Sequence, residues 1–168
     1  MRDYTFRKGS SDDAEVLYNL VVARIAWMDN KGIRQWNVTE YLERFPMDYY
    51  VEKQRIGELY VLVDNKSGKV VCSAVLKEKD DRWPDDGEKA LYLHNFASAV
   101  GWFEPVGDIF LDYCLQLAHK MGKSFFRLDC AVDNAFLNQY YSQRGYSEAG
   151  YCTHGLYKGV LRQKKISA

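Results

Sequence analysis

Apolar positions along this chain change their spacing several times, and each change marks an element. From Ala14 onward Leu17, Tyr18, Val21, Ile25 and Met28 recur at helical intervals, which buries one face of a helix. Gly9-Ser10-Ser11-Asp12 opens that helix, Glu15 is spaced to close a capping box on Asp12, and Gly32 ends it. Just before it, Tyr4 to Arg7 reads as a short strand. Thr39 to Arg55 keeps a less regular helical pattern that stops at Gly57. Glu58 to Asp64 and Lys69 to Lys77 are dense in Val and Leu, and Asn65-Lys66-Ser67-Gly68 joins them as a hairpin.

A polar loop, Lys79 to Lys89, precedes a strand from Ala90 to Ser98. Helical spacing returns from Val106 to Met121, with Phe110, Cys114, Leu117 and Met121 inward and Gly122 at the end. A strand over 124–132, a helix over 134–144 and two strands near Tyr146 to Thr153 and Leu156 to Arg162 complete the chain. No internal repeat, linker or low-complexity segment interrupts it. The order predicts an α/β (α+β) protein of one domain, 1–168, with a mixed sheet and helices on both faces.

Composition narrows the function classes. The 168 residues are 47% hydrophobic, enough for one sizeable core. Lys plus Arg and Asp plus Glu are 23 each, so net charge gives no case for a nucleic-acid partner or an anionic membrane. No apolar run is long enough to span a bilayer, and Met1-Arg2-Asp3-Tyr4 lacks the apolar core of a signal peptide, which makes the cytoplasm the expected location. Cys72, Cys114, Cys130 and Cys152 are widely spaced in apolar stretches, as buried free thiols are, and indicate neither a metal site nor a disulfide framework.

The stretch from Ser124 to Tyr146 brings a strand end, a helix start and a phenol together. Asn134 is followed by Tyr141 and then by Gly145-Tyr146. With Gly32-Ile33-x-Gln35-Trp36, Gly57-Glu58-Leu59-Tyr60-Val61 and the order of elements, this resembles the GNAT superfamily of acetyl-CoA-dependent N-acetyltransferases, in a bacterial small-molecule branch. The resemblance covers nearly the whole chain. It implies the GNAT fold: a mostly antiparallel sheet in which the strands 90–98 and 124–132 splay apart to admit the pantetheine arm of acetyl-CoA.

It also implies roles. Tyr141 matches the tyrosine that protonates the departing thiolate, and a phenol remains protonated at neutral pH. Leu93-His94-x-x-Ala97 resembles the strand motif whose histidine relays the proton of an amine, and His94 titrates in the useful range. Strand alternation sets Tyr92, His94, Phe96 and Ser98 on one face. Tyr92 stands where histone-type relatives carry a catalytic Glu. Ala97, Ser98 and Ala99 would offer backbone groups to the arm as an added strand does, and Asn134 would cap its helix and bond the arm. Trp36, Trp83 and Tyr92 would line the pocket of a small primary amine. The acidic loop reads as solvated, or as an attractor of a cationic amine. Arg127 and Asp129 share a strand face and are expected to pair.

One motif departs from the family pattern, Gln/Arg-x-x-Gly-x-Gly/Ala at the start of the central helix. Trp102-Phe103-Glu104-Pro105-Val106-Gly107, followed by Asp108, stands there. Free N–H groups at a helix start hold phosphate oxygens. Pro105 has none, a loss of roughly 0.5–1.5 kcal/mol, and an absent charge-assisted contact adds ~1.5–3 kcal/mol. Together these weaken the phosphate grip by about one to three decades. The expected activity is acetyl transfer to the amine by direct attack in a ternary complex, by a monomer or homodimer. The alternative is a non-catalytic module of the same fold that binds an acyl-CoA or another ligand.

Overall fold

The structure, a computed structural model, describes residues 3–167. Seven strands form one sheet in the order β1-β2-β3-β4-β5-β7-β6. In chain order they are β1 (Tyr4–Lys8), β2 (Leu59–Asp64), β3 (Val70–Lys77), β4 (Ala90–Ser98), β5 (Phe125–Ala131), β6 (Ser147–His154) and β7 (Tyr157–Lys165). The helices are α1 (Asp13–Lys31), α2 (Tyr41–Arg44), α3 (Met47–Arg55), α4 (Val106–Lys120) and α5 (Ala135–Gln143). On one face α4 and α5 bury Phe110, Cys114 and Tyr141 against Leu62, Leu91 and Phe126. On the other α1 and α3 bury Leu17, Val21 and Tyr50 against Leu59, Val61 and Val75. Among the described residues no helix is long and apolar enough to cross a membrane. Cys72, Cys114 and Cys130 are buried and unpaired, and Cys152 is half-buried.

Local chemistry explains where the helices begin and break. Asp12 makes no side-chain cap; instead Asp13 accepts the Ser10 N–H at 2.7 Å and the Ser10 hydroxyl at 3.0 Å, and Arg7 pairs with it at 2.7 Å. The expected Asp12–Glu15 box is thus replaced by a Ser10–Asp13 one. The looser helical stretch after Thr39 divides into α2 and α3 at Phe45-Pro46, because proline has no N–H to continue α2 and suits the first turn of α3.

Two irregularities of β4 create the site. First, β4 and β5 run parallel but pair only at Ala90–Phe125, Leu91–Phe126 and Tyr92–Arg127, and beyond Tyr92 they diverge. β5 stays paired to β7 through all of Phe125–Ala131, so the split lies inside the sheet. Second, the step from Ser73 to Val75 on β3 faces the longer step from His94 to Ala97 on β4, a bulge centred on Asn95 at φ 55°. The bulge breaks the expected alternation. Tyr92 and His94 keep the α1 side, whereas Phe96 turns to the α4 side and packs on Phe110 at 5.5 Å between ring centroids.

Asn tolerates a left-handed backbone, and its buried side chain is held at both ends. Its amide donates to the Tyr41 hydroxyl at 2.6 Å and its carbonyl accepts from the Tyr49 hydroxyl at 2.9 Å. Asn95→Ala is expected to lower the unfolding free energy by about 2–3 kcal/mol, since two tyrosine hydroxyls lose partners and the backbone gains strain. Asn95→Gly relieves the strain without restoring the bonds, so it should recover roughly 1 kcal/mol of that loss in urea unfolding.

Candidate active site

A cavity of about 350 Å³ opens where β4 and β5 part. β4 contributes His94, Asn95, Phe96, Ala97 and Ser98 to its wall, α4 its first turn, and α5 Asn134, Leu137, Tyr140 and Tyr141. The segment joining α1 to α2 closes the remaining side with Gln35, Trp36, Tyr41 and Arg44. The structure therefore brings His94, Tyr141, Ala97, Ser98, Asn134, Trp36, Val106, Gly107 and Asp108 to one cavity. Ala99, Trp102, Phe103, Glu104, Trp83 and Tyr92 are not on its wall.

His94 is buried, and its Nε2 lies 2.7 Å from Asp80 Oδ2. Burial opposes ionisation of Asp80, but the hydrogen bond and charge of His94 outweigh it and bring the carboxyl down to about 2. A carboxylate ionised at neutral pH can only accept, so the proton between the two groups sits on Nε2, and Nδ1 takes no part in that contact. Asp80 belongs to the Lys79 to Lys89 loop, which is largely exposed as expected but turns Asp80, Arg82 and Trp83 inward. Its Arg82 donates to both oxygens of Asp129 at 3.2 Å, and its Asp86 pairs with Arg127. Asp129 also accepts from the Tyr157 hydroxyl at 2.6 Å. Asp80, His94 and Asp129 offer ligand atoms within 4.8 Å of one another, yet Arg82 and His94 already meet both carboxylates.

Arg127 and Asp129 do not pair, contrary to expectation, because each meets the loop. Arg127 donates to Asp86, to the Tyr92 hydroxyl at 3.1 Å and to Gln163 at 2.9 Å. Trp83 is buried under its guanidinium, 4.5 Å from ring centroid to Cζ, and packs with Tyr92. Trp83 and Tyr92 are thus the wall behind the loop instead of a pocket lining.

Tyr141 lies in the core, edge-on to Tyr140 and Tyr146 at 5.2 and 5.5 Å between centroids. Burial first, and the neighbouring Cys130 second, push its phenol well above the usual range. Among the described residues its hydroxyl has no hydrogen-bond partner, and it borders the cavity. Asn134 caps α5 by accepting the Leu137 N–H at 3.0 Å. Its amide donates to Gln35 Oε1 at 2.8 Å, a buried bridge across the mouth of the split.

The first turn of α4 is congested. Trp102 donates to the Tyr4 hydroxyl at 3.2 Å and stacks on Phe103, which draws both toward β1. The Val106 N–H is taken by Glu104 O and the Asp108 N–H by Pro105 O; among the described residues only the Gly107 N–H of this turn lacks a partner. Asp108 sets its own carboxylate there, bonded by the Tyr140 hydroxyl and by Arg144 Nε at 2.7 Å. Arg144 is the main reason its carboxyl lies below the usual range.

Asp80, Arg82, Gln35, Arg44, Asp129 and Tyr157 belong to this site without having been assigned to it from sequence. Gln35 stood in Gly32-Ile33-x-Gln35-Trp36, Asp80 in the acidic loop, and Asp129 was expected only to pair with Arg127. The others meet across long sequence separations that no local spacing encodes.

No protein-family model matches the sequence, and no curated protein matches it. Solved structures do. A GNAT-family acetyltransferase from Listeria monocytogenes superimposes with a TM-score of 0.79 at 22% identity, over 97% of this chain and 95% of that one. A GNAT-family acetyltransferase from Streptococcus agalactiae gives 0.79 at 16% identity, over 98% and 96%. The PaiA N-acetyltransferase of Thermoplasma acidophilum, solved in complex with coenzyme A, gives 0.71 at 17% identity, over 97% and 99%. The chain has the GNAT fold.

Proposed function

We propose that this protein transfers an acetyl group from acetyl-CoA to a small primary amine by direct attack in a ternary complex. One observation carries the reading: His94 with its Asp80 partner, the Tyr141 hydroxyl and the open inner edges of β4 and β5 converge on one cavity. The coenzyme A complex of the Thermoplasma acidophilum PaiA enzyme supports the cofactor.

The residues present fit that cofactor along its amide-bearing arm. β4 beyond Tyr92 and β5 beyond Arg127 are not paired with each other, and Ala97 and Ser98 are small enough for close approach, with the Ser98 carbonyl accepting from Arg24 at 2.9 Å. Asn134 stands at the mouth, and the Gly107 N–H, without a partner among the described residues, could meet a phosphate oxygen. Acetyl-CoA would supply an activated thioester. His94 Nδ1 would take the proton of the attacking amine, with Asp80 holding the ring and stabilising the imidazolium. Tyr141 keeps its proton on Oη at neutral pH and would offer it to a developing sulfur anion. A covalent route lacks a nucleophile, since burial pushes Cys130 and Cys152 up to about 11.

The crowded start of α4 favours the second reading, a module that binds an acyl-CoA without catalysis. Calorimetric titration with coenzyme A, followed by thiol release over a panel of amines, separates the two. The enzyme reading expects both binding and release; no binding at high-micromolar cofactor would overturn it. Asp108→Asn removes the anion from that helix start and frees Arg144. It is expected to tighten coenzyme A binding by roughly 3–10-fold.

A further inference from the structure

We infer that the acceptor carries an anionic group beside its amine, a carboxylate in the simplest case, and that Arg44 receives it. The inference rests on the cavity being the acceptor site of an acyl transfer. Arg44 ends α2 and lines the cavity, with its guanidinium against the rings of Tyr41, Phe45 and Tyr157, 5.8, 5.4 and 5.8 Å from Cζ to each centroid. Nε and Nη2 donate to the Thr39 carbonyl at 3.2 Å and, weakly, its hydroxyl at 3.5 Å. Nη1 is buried and has no acceptor.

Three other arginines meet carboxylates: half-buried Arg82 with Asp129, half-buried Arg144 with Asp108, and buried Arg127 with Asp86. Arg24, half-buried on the same cavity, meets none, but it donates to the Ser98 carbonyl at 2.9 Å and hydroxyl at 3.0 Å, whereas Arg44 keeps a buried donor idle. Among the described residues Arg44 meets none. Burial, and the nearby charge of Arg82, both disfavour its cationic form. A buried guanidinium with an idle donor and a like-charged neighbour is stabilised by an anion that accepts from it, in the bidentate geometry a carboxylate provides.

The opposite pole is equally defined. Asp80, His94 and Asp129 cluster where the amine would be deprotonated. Tyr157 joins the two poles, with its hydroxyl on Asp129 and its ring beside Arg44. A cavity with an anionic and a cationic pole selects a short bifunctional molecule, as amino acids are. An amine lacking the acid leaves Arg44 unanswered, and rejection follows from that unpaired group.

The test is ligand-observed NMR with the protein, with and without coenzyme A, against amino acids and the amines made by decarboxylating each. At least one amino acid should bind tenfold or more tightly than its amine. Arg44→Gln should abolish the difference, and Arg44→Lys should keep part of it. Preference for the plain amines, failure of every amino acid to bind, or a preference that survives in a folded Arg44→Gln protein overturns the inference. Thiol release with plain amines as fast as with their acids would overturn it and leave the acetyltransferase reading intact. Failure to bind coenzyme A would sink the acetyltransferase reading and with it the word acceptor, while the cofactor-free arm would still report separately whether Arg44 receives a carboxylate.

Discussion

Tyr141→Phe is expected to slow thiol release roughly 10²–10³-fold with any amine the parent accepts, while the folded state loses almost nothing. The two halves of this expectation have different physical origins. The ring is fixed by Tyr140 and Tyr146, and phenylalanine keeps those contacts. The hydroxyl has no protein partner among the described residues, so its removal strands no donor or acceptor, and the change in stability should stay within about 0.5 kcal/mol. What is removed is a proton held on oxygen at the cavity wall by a phenol raised through burial. A thermal melt and a single-turnover assay on the same sample check both halves. Unchanged turnover would return Tyr141 to the core and nothing more.

The second large effect concerns His94 and Asp80 as one unit. His94→Ala should lower kcat/KM by about 10²–10³-fold and flatten its rise with pH, because that rise reports deprotonation of the base. Asp80→Asn keeps the ring but loses the charge that fixes the tautomer, and a loss of at least tenfold is expected. Stability provides an independent readout. The folded carboxyl of Asp80 lies at about 2, below its ordinary value of 3.8. Its contribution is therefore complete above that ordinary value and is lost as pH falls through the folded one. That contribution is on the order of 2 kcal/mol, and Asp80→Asn should remove the corresponding acid-side slope. An activity profile for His94→Ala with the parent's pH dependence would exclude His94 as the base.

Much of the frame was legible in the sequence because it depends on local periodicity. β4 spans Ala90–Ser98 as expected, and α4 and α5 fall within a residue of their predicted ends. What was illegible depends on contacts across the fold. Nothing near Asn95 announces a bulge, since its left-handed backbone is stabilised by Tyr41 of α2 and Tyr49 of α3. The acidic loop read as solvated and is largely exposed, but the inward turn of Asp80 and Arg82 left no local mark. Its partners Arg127, Asp129 and His94 lie on strands far along the chain. Trp83 looked available for the same reason, until Arg127 covered it. Among candidate site residues, those fixed by a motif with set spacing, Asn134 and Tyr141, reached the cavity. Of the two tryptophans chosen for residue type on loops, Trp36 reached it and Trp83 did not.

A sheet ordinarily carries its unpaired edges at the perimeter, where they invite other chains to add strands. Here β1 and β6 form that perimeter, but the parting of β4 from β5 opens two further edges within the molecule. They are roofed by α5 on one side and by the Gln35–Asn134 bridge on the other. A neighbouring sheet meets that cover before it meets these edges, so the opening that could admit a guest adds little to the molecule's tendency to template an aggregate.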